Sequence, residues 1–230
     1  MPHIYAIGDL HLSHGVSDKA MDVFGSRWQD HTQRLYEAWQ DVVEDDALVL
    51  IPGDVSWAMY LKDALPDFDF LALLKGEKLL LRGNHDYWWS SYTQVKNALP
   101  ASVHALQNDV FRFGDVAIAG TRGWIAPPCT AYSETKDRKI FEREKIRLTL
   151  SMDALPKDTQ NIVMLHYPPF AENGAATEFA DMVEARQVQT VVYGHLHGKA
   201  QEHAFLGLHN GVQYRLVAAD HLQFIPQQIL

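Results

Sequence analysis

Lys78-Leu79-Leu80-Leu81-Arg82-Gly83-Asn84-His85-Asp86 joins a short apolar run to a glycine and three polar residues. A run this short, bounded by glycine, is more typical of a buried strand than of a helix. Gly83 allows a sharp turn where the strand ends. Asn84 offers a neutral oxygen ligand, histidines such as His85 titrate near neutral pH, and Asp86 could orient the imidazole. Taken alone, the same residues could instead cap a helix.

The same arrangement recurs at four other places in the chain. Each of four further apolar runs predicts a strand, and each is followed by residues that can bind a metal. The runs are residues 4–7 before Asp9 and His11, 47–51 before Asp54, 161–165 before His166, and 190–193 before His195 and His197. A common position at strand ends is hard to produce by accident, so we interpret these residues as one metal site.

The segments between the strands predict helices and a hairpin. Apolar residues recur at helical spacing over residues 28–44, 61–74, 134–152 and 175–186. Residues 110–113 and 116–120 predict an antiparallel pair, and 214–218 a last strand. Strands that alternate with helices predict a largely parallel core sheet, whose ligands gather at the carboxyl ends of the strands. The polar loop with His14, Ser17 and Asp18 is predicted to be solvated surface.

Seven candidate ligands limit the kind of metal that would bind. They supply imidazole, carboxylate and amide groups without thiolate, a mixture that suits manganese, iron or zinc. Because seven ligands exceed the four of one tetrahedral ion, two ions are expected. Asp54 is central to the set and can bridge them. Two ions about 3.5–4 Å apart can clamp both sides of a phosphoryl displacement.

Composition sets limits on the class of protein. The 230 residues predict a single domain over residues 1–230, and the formal charge of −9 disfavours loose binding to nucleic acid. No run of about 18 apolar residues exists, so no membrane span is expected. The start of the sequence shows no basic-then-apolar signal segment. The single Cys129 fits a reducing compartment, and a cytoplasmic location is predicted.

The motifs Asp9-x-His11, Gly53-Asp54, Gly83-Asn84-His85-Asp86, His166 and Gly194-His195-x-His197 together resemble the calcineurin-like metallophosphoesterase family. They span residues 9–197 in the order of that family. The resemblance implies an α/β fold, a four-layer α/β/β/α sandwich with mixed sheets, and a binuclear site. It places one ion on Asp9, His11, Asp54 and His197, and the other on Asp54, Asn84, His166 and His195. His85 would protonate the leaving oxygen or steady the phosphate, with Asp86 orienting it.

A weaker resemblance concerns three aromatic segments. Residues 57–60, 87–89 and 120–124 are similar to a small bacterial branch of this family whose substrate is unassigned. Trp57 and Trp124 could stack on a base or sugar, or pack as part of a lid. Arg122 could contact a phosphate oxygen, or be a surface or ion-paired arginine. These three residues are the candidate substrate contacts.

Three functions fit these observations. The first is a hydrolase of phosphate monoesters or diesters, in which a hydroxide between two ions attacks phosphorus and His85 assists the leaving group. Its partner would be a small phosphorylated substrate, and manganese is the favoured metal. The second is a non-catalytic scaffold of the same fold that binds protein. The third is a nuclease, which the acidic charge and the lack of a basic stripe disfavour.

Overall fold

A computed structural model describes residues 3–16, 21–157 and 159–230 of the protein, with only the backbone of Phe24. The strands are β1 (Ile4–Ala6), β2 (Leu48–Pro52), β3 (Glu77–Leu81), β4 (Val103–Ala105), β5 (Phe111–Phe113), β6 (Val116–Thr121), β7 (Gln160–Leu165), β8 (Thr190–Tyr193), β9 (Gly207–His209), β10 (Val212–Leu216) and β11 (Gln227–Gln228). The helices are α1 (His31–Val42), α2 (Leu61–Leu73), α3 (Tyr92–Ala98), α4 (Glu134–Asp153) and α5 (Glu178–Ala185). Short 3₁₀ helices cover Met21–Phe24, Ser26–Trp28 and Gly198–His203.

The strands form two mixed sheets. The first has the order β11-β1-β2-β3-β4 and is parallel except for β11. The second has the order β5-β6-β7-β8-β10-β9, with a parallel centre and antiparallel strands at both edges. Alternation of strands and helices predicted one core sheet, and the structure corrects this to two. The mixed-sheet sandwich implied by the family resemblance is confirmed.

Four layers follow from the apolar faces of these elements. Side chains such as Leu50, Leu79, Ile118 and Met164 pack between the two sheets. Helices α1 and α2 cover the outer face of the first sheet, and α4 and α5 cover that of the second. The central strands are therefore buried on both faces, and this double burial explains their continuous apolar sequences.

Some local predictions need correction. The helix predicted from residue 28 begins at His31, because Asp30 before it has a left-handed backbone with φ of 52°. The predicted helix over 175–186 is shorter, Glu178–Ala185. His14 is exposed, as predicted, although its Nδ1 lies 2.8 Å from Oδ1 of the wholly buried Asp67 and its ring stacks on Phe70. Ser17 and Asp18 lie outside the described residues.

Two predictions concern the chain as a whole. In the ranges that the structure describes, no helix has both the length and the apolar character required to cross a bilayer. The single domain over residues 1–230 stays a prediction.

Candidate metal centre

The carboxyl ends of both sheets meet at one edge of the sandwich. Asp9, Asp54 and Asn84 follow β1, β2 and β3 of the first sheet, and His166 and His195 follow β7 and β8 of the second. Oδ2 of Asp54 lies 3.5 Å from Nε2 of His166, and the backbone N–H of His195 donates to Oδ2 of Asp9 at 3.0 Å. The strand-end residues are thus brought together across the gap between the sheets.

Two overlapping groups of side chains have the spacing of metal ligands. Asp9, His11 and His197 form one group, and Asp9, Asp54 and His166 form the other, with ligand atoms in each group within 4.8 Å of one another. Asp9 is common to both groups. Asp54 also faces both, because its Oδ2 lies 3.9 Å from Nε2 of His11 as well as close to His166.

The two remaining candidate ligands lie beside His166. Oδ1 of Asn84 is 2.6 Å from Nε2 of His166, and the His195 ring centroid is 5.1 Å from that of His166. All seven candidate ligands therefore belong to one cluster of neighbouring side chains. The division into two sets of four implied by the family resemblance stays a prediction.

Unpaired nitrogen atoms show that these residues fit metal ions. Nδ1 of His11 and Nε2 of His197 are buried and have no hydrogen-bond partner in the described part of the chain. Such atoms are rare in folded proteins and call for a ligand or ion. Nδ1 of His166 lies 3.0 Å from the carbonyl oxygen of Pro52. With its proton donated there, Nε2 presents a lone pair toward the oxygens of Asn84 and Asp54, the orientation that a ligand needs.

Four of the candidate ligands have an unusual backbone. The φ angles of Asp9, His11, Asp54 and His195 are 56°, 46°, 51° and 72°, in the left-handed region. Residues other than glycine held there cost about 1–3 kcal/mol each, and such strain clusters at functional sites. The surrounding sheets must therefore impose these conformations, which aim the ligands into the site.

Two glycines of the motifs leave room for the carboxylates. A Cβ atom on Gly83 would lie 2.1 Å from Oδ1 of Asp54, and one on Gly194 would lie 2.2 Å from Oδ2 of Asp9. Real atoms do not approach so closely, so a side chain at either position would displace a carboxylate. The glycines are needed because the ligands pack directly against the backbone.

Burial and the closeness of the ionisable groups shift the pKa values of the site. Burial, together with the nearby Asp86 and Asp9, raises the pKa of Asp54 well above its usual range. Burial lowers the pKa of His166 and of His195 to about 3. Burial opposes protonation of His197 too, but Asp220 and Asp9 raise the pKa of that ring to about 10. Bound divalent ions would favour the charged carboxylates and the neutral imidazoles.

Asp220 is a residue of the site that the sequence interpretation missed. It is 4% exposed, and its Oδ1 lies 2.9 Å from Nδ1 of His197 while its Oδ2 accepts from the N–H of Gly198. The sequence could have indicated it, because Asp220 follows the predicted strand 214–218 by two residues. It is thus a polar residue beyond a sixth predicted strand. Unlike Asp9 and Asp54, it has no glycine before it, although His221 follows it directly.

His85 and Asp86 occupy different places around the ligands. The backbone N–H of His85 donates to Oδ1 of Asp54 at 2.7 Å, and its ring centroid lies 4.6 Å from the Trp57 ring and 5.9 Å from the His11 ring. The wholly buried Asp86 accepts hydrogen bonds from the backbone N–H groups of Val55, Ser56 and Gly83 and from the Trp88 indole. Asp86 thereby ties together the turns after β2 and β3, and its predicted orientation of the His85 ring stays a prediction.

A cleft of about 600 Å³ opens beside the ligands. His11, His85 and His197 form its floor, and Trp28, Trp57 and Arg27 are among its walls. The Trp57 ring stacks on His11 with centroids 4.8 Å apart. Of the three candidate substrate contacts, Trp57 is therefore the one that lines this cleft.

Trp124 and Arg122 lie elsewhere. Trp124 packs on Tyr167 and, with His195, lines a smaller pocket. Arg122 is 3.4 Å from Oε1 of Glu144, and its guanidinium lies over the Trp124 ring at 4.6 Å. The ion-paired alternative for Arg122 is thus observed, and the three candidates do not share one pocket.

Comparisons with known proteins agree with this geometry. A family model described as calcineurin-like phosphoesterase matches residues 2–199. The chain belongs to the calcineurin-like phosphoesterase family, which confirms the family predicted from the motifs.

Individual relatives are distant. An uncharacterised protein of Methanocaldococcus jannaschii is 29% identical over 96 residues, which are 42% of this chain and 53% of that protein. The chain thus spans about half the length of the curated relative it matches. Phosphopantetheinyl hydrolase from Mycobacterium tuberculosis has a TM-score of 0.63 at 15% identity, covering 100% of this chain and 96% of the other. The calcineurin-like phosphoesterase YfkN from Bacillus subtilis has a TM-score of 0.51 at 14% identity, covering 94% and 80%. At these identities, the two structures support the fold alone.

Proposed function

We propose that the protein is a binuclear metal-dependent phosphoesterase that hydrolyses small phosphate monoesters or diesters. The observation that carries this proposal is the pair of overlapping ligand groups that share Asp9 and lie beside unpaired nitrogens of His11 and His197. The ions would be held by Asp9, His11, Asp54, Asn84, His166, His195 and His197, and manganese is favoured over iron or zinc. Bound ions of this kind supply a nucleophile from water at neutral pH and neutralise charge on the phosphoryl oxygens.

His85 is the proposed proton donor to the leaving oxygen. Its backbone is fixed to Asp54 by a hydrogen bond, and its ring packs beside those of Trp57 and the candidate ligand His11. The ring also borders the 600 Å³ cleft, where a leaving group would lie. A positioned general acid of this kind contributes typically 10²–10⁴-fold to a rate. Asp86 supports His85 by fixing the turn that carries it.

The cleft suggests where the substituent of the ester binds. Trp28 and Trp57 provide flat apolar surfaces next to the ligands, and Arg27 adds a positive charge at the rim. Trp57 would pack on the leaving group, because aromatic faces stack well on rings and other planar groups. The formal charge of −9 favours a small substrate over a nucleic acid strand.

The first test pairs elemental analysis with two assays. Metal content of the purified protein is measured, and hydrolysis of p-nitrophenyl phosphate and bis-p-nitrophenyl phosphate is followed with and without Mn²⁺. Close to two metals per chain and manganese-dependent turnover support the proposal, and the preferred ester distinguishes monoesterase from diesterase. Little metal and no rescue by Mn²⁺ would favour the protein-binding scaffold. Digestion of labelled oligonucleotides at low and high salt tests the nuclease alternative.

A further inference from the structure

A second cleft, of about 270 Å³, lies along the same edge of the sandwich as the candidate metal centre. It is bordered by the carboxyl ends of β3, β4 and β6 and by the middle of α4. Three arginines line it, Arg82, Arg122 and Arg147, together with one acidic residue, Glu144. Neither the ligand groups nor the aromatic cleft described above includes Arg82, Arg147 or Glu144.

Glu144 cannot neutralise the arginines around it. The residue is wholly buried, and its carboxylate accepts hydrogen bonds from the Thr121 hydroxyl at 2.7 Å and from Arg147 at 2.7 Å, with Arg122 at 3.4 Å. Against three guanidinium groups there is one carboxylate among the residues that line the cleft. An excess of two positive charges is therefore concentrated there, in a chain whose formal charge is −9.

Unpaired donors in the same cleft need a partner. Nε of Arg82 and Nε of Arg122 are both buried, and neither has a hydrogen-bond acceptor within the residues described. A buried donor left unpaired costs about 1–3 kcal/mol, and more when it is charged. The planar fork of arginine matches phosphate oxygens in pairs. Gln107, Asn108 and Ser91 add polar groups to the same walls.

The cleft is joined to the proposed metal centre through the backbone. Arg82 precedes Asn84 by two residues, a separation of at most roughly 7 Å between their Cα atoms. The carbonyl oxygen of Arg122 accepts hydrogen bonds from the N–H groups of His166 at 3.1 Å and of Tyr167 at 2.9 Å. Arg82 therefore lies on the turn that presents Asn84, and Arg122 lies on a turn hydrogen-bonded to His166, while Arg147 reaches the cleft from α4.

We propose that this arginine cleft binds a second phosphate of the substrate, so that the preferred substrate carries two phosphate groups, one hydrolysed at the metal centre and one held by Arg82, Arg122 and Arg147. The proposal rests on the proposed phosphoesterase function. It assigns the substrate class by charge: esters with one phosphate would leave the cleft unused.

The test uses alkanediol α,ω-bisphosphates of increasing length and their monophosphates with the manganese-loaded protein. At the best spacer length, we expect a KM at least about 10-fold lower for the bisphosphate than for the matching monophosphate, the effect of one charge-assisted hydrogen bond. In Arg82→Gln and Arg147→Gln, this preference should fall below about 3-fold. Arg138→Gln is the matched control, because Arg138 lies on the same helix but is exposed and pairs with Glu134 outside the cleft. It should keep the full preference.

A second measurement needs no turnover. Inorganic phosphate is titrated calorimetrically into EDTA-treated protein, and we expect binding that Arg82→Gln and Arg147→Gln weaken and Arg138→Gln does not. If no ester is hydrolysed but this pattern holds, the phosphoesterase function fails and the anion site stands. Phosphate binding at the arginines without any bisphosphate preference would overturn the substrate assignment in favour of free phosphate. Equal phosphate binding by all variants would overturn the site itself.

Discussion

Nδ1 of His197 lies 2.9 Å from Oδ1 of Asp220, while Nε2 on the other side of the same ring lies 3.5 Å from Oδ1 of Asp9. The bond to Asp220 fixes both the orientation of the imidazole and the nitrogen that carries its proton. It leaves Nε2 as the atom that faces the proposed metal position. Carboxylates that act on ligating histidines in this way raise ligand basicity.

Removing Asp220 should therefore weaken metal binding without removing a ligand. In Asp220→Ala, we expect the metal affinity to fall about 10–100-fold, the usual effect of losing such a partner. Competition with a chelator of known affinity measures it. Asp153→Ala is the control, because Asp153 is a surface carboxylate paired with Arg186 at the end of α4. Unchanged affinity in Asp220→Ala would contradict the role assigned to this residue.

Replacing His85 separates proton transfer from metal binding. In His85→Ala, kcat should fall about 10²–10⁴-fold because the leaving oxygen loses its proton donor. Metal content by elemental analysis should equal that of the wild type. Asp54→Asn is the contrasting variant, in which metal content itself should drop. Wild-type kcat in His85→Ala would exclude His85 as the general acid.

The position of the candidate site was predictable from the sequence for a simple physical reason. Parallel strands end at a common edge, so polar residues that follow apolar runs are expected together, as Asp9, Asp54 and His166 are. The number of sheets was not predictable from the same runs. A strand buried on both faces has the same apolar sequence in either sheet, and the pairing partner is chosen by distant residues.

Contacts between distant residues account for what the sequence did not reveal. Asp220 approaches His197 only because β10 pairs with β8 in parallel, and its own neighbours form no motif. Glu144 belongs to the charged run 142–145, whose sequence is typical of a solvated helix face, yet it is buried and accepts a hydrogen bond from the Thr121 hydroxyl. Its carboxylate faces inward, where the hydroxyl of Thr121 at the end of β6 and the guanidinium of the next residue, Arg122, lie beside it.

The close packing of Gly83 against Asp54 leads to a prediction about substitution of this glycine. In Gly83→Ala, the new Cβ would meet both Oδ1 and the backbone nitrogen of Asp54, at 2.1 and 2.3 Å. We expect a loss of about 1–3 kcal/mol in the free energy of unfolding, the usual cost of overpacking, together with reduced metal content. Gly174→Ala is the comparison, since nothing lies within 4 Å of its Cβ although its φ is +81°. It should keep its metal; normal metal content in Gly83→Ala would show that Asp54 can move without loss.

Metal removal should lower thermal stability. At a metal concentration of 100 times Kd, binding to the folded state adds about 2.7 kcal/mol, which for a chain of this size corresponds to roughly 5–11 °C in Tm. Calorimetry before and after EDTA treatment measures the difference. Asp54→Asn, which should not retain the metal, is expected to show little change. An equal EDTA effect in both proteins would mean that the stabilising ion binds elsewhere.

The burial of Lys78 leads to a prediction of how the free energy of unfolding depends on pH. Its ammonium lies inside β3 and donates to the carbonyl oxygens of Leu74 and Gly76, and burial lowers its pKa to about 8. The unfolded chain, with a lysine pKa of about 10.4, binds this proton more tightly. The free energy of unfolding should therefore rise between about pH 8 and pH 10.4, by up to about 1.4 kcal/mol per pH unit.

Substitution isolates this contribution from other groups that titrate over the same range. Urea unfolding from pH 7 to pH 10.5 should show a smaller rise in Lys78→Met than in the wild type. Lys62→Met, at an exposed position on α2, should follow the wild type. Identical pH profiles for all three proteins would show that Lys78 stays charged in the folded state.

The division of the candidate ligands between two sheets has a mechanical consequence. Asp9, Asp54 and Asn84 extend from one sheet and His166 and His195 from the other, with an apolar cluster between the strands behind them. Ions held between these residues would cross-link the two sheets over the apolar interface. Any motion that parts the sheets would pull the two halves of each coordination shell away from one another. The exchange rate of the bound ions would then be limited by how often the two sheets separate. Slow metal exchange would indicate that the sheets rarely separate.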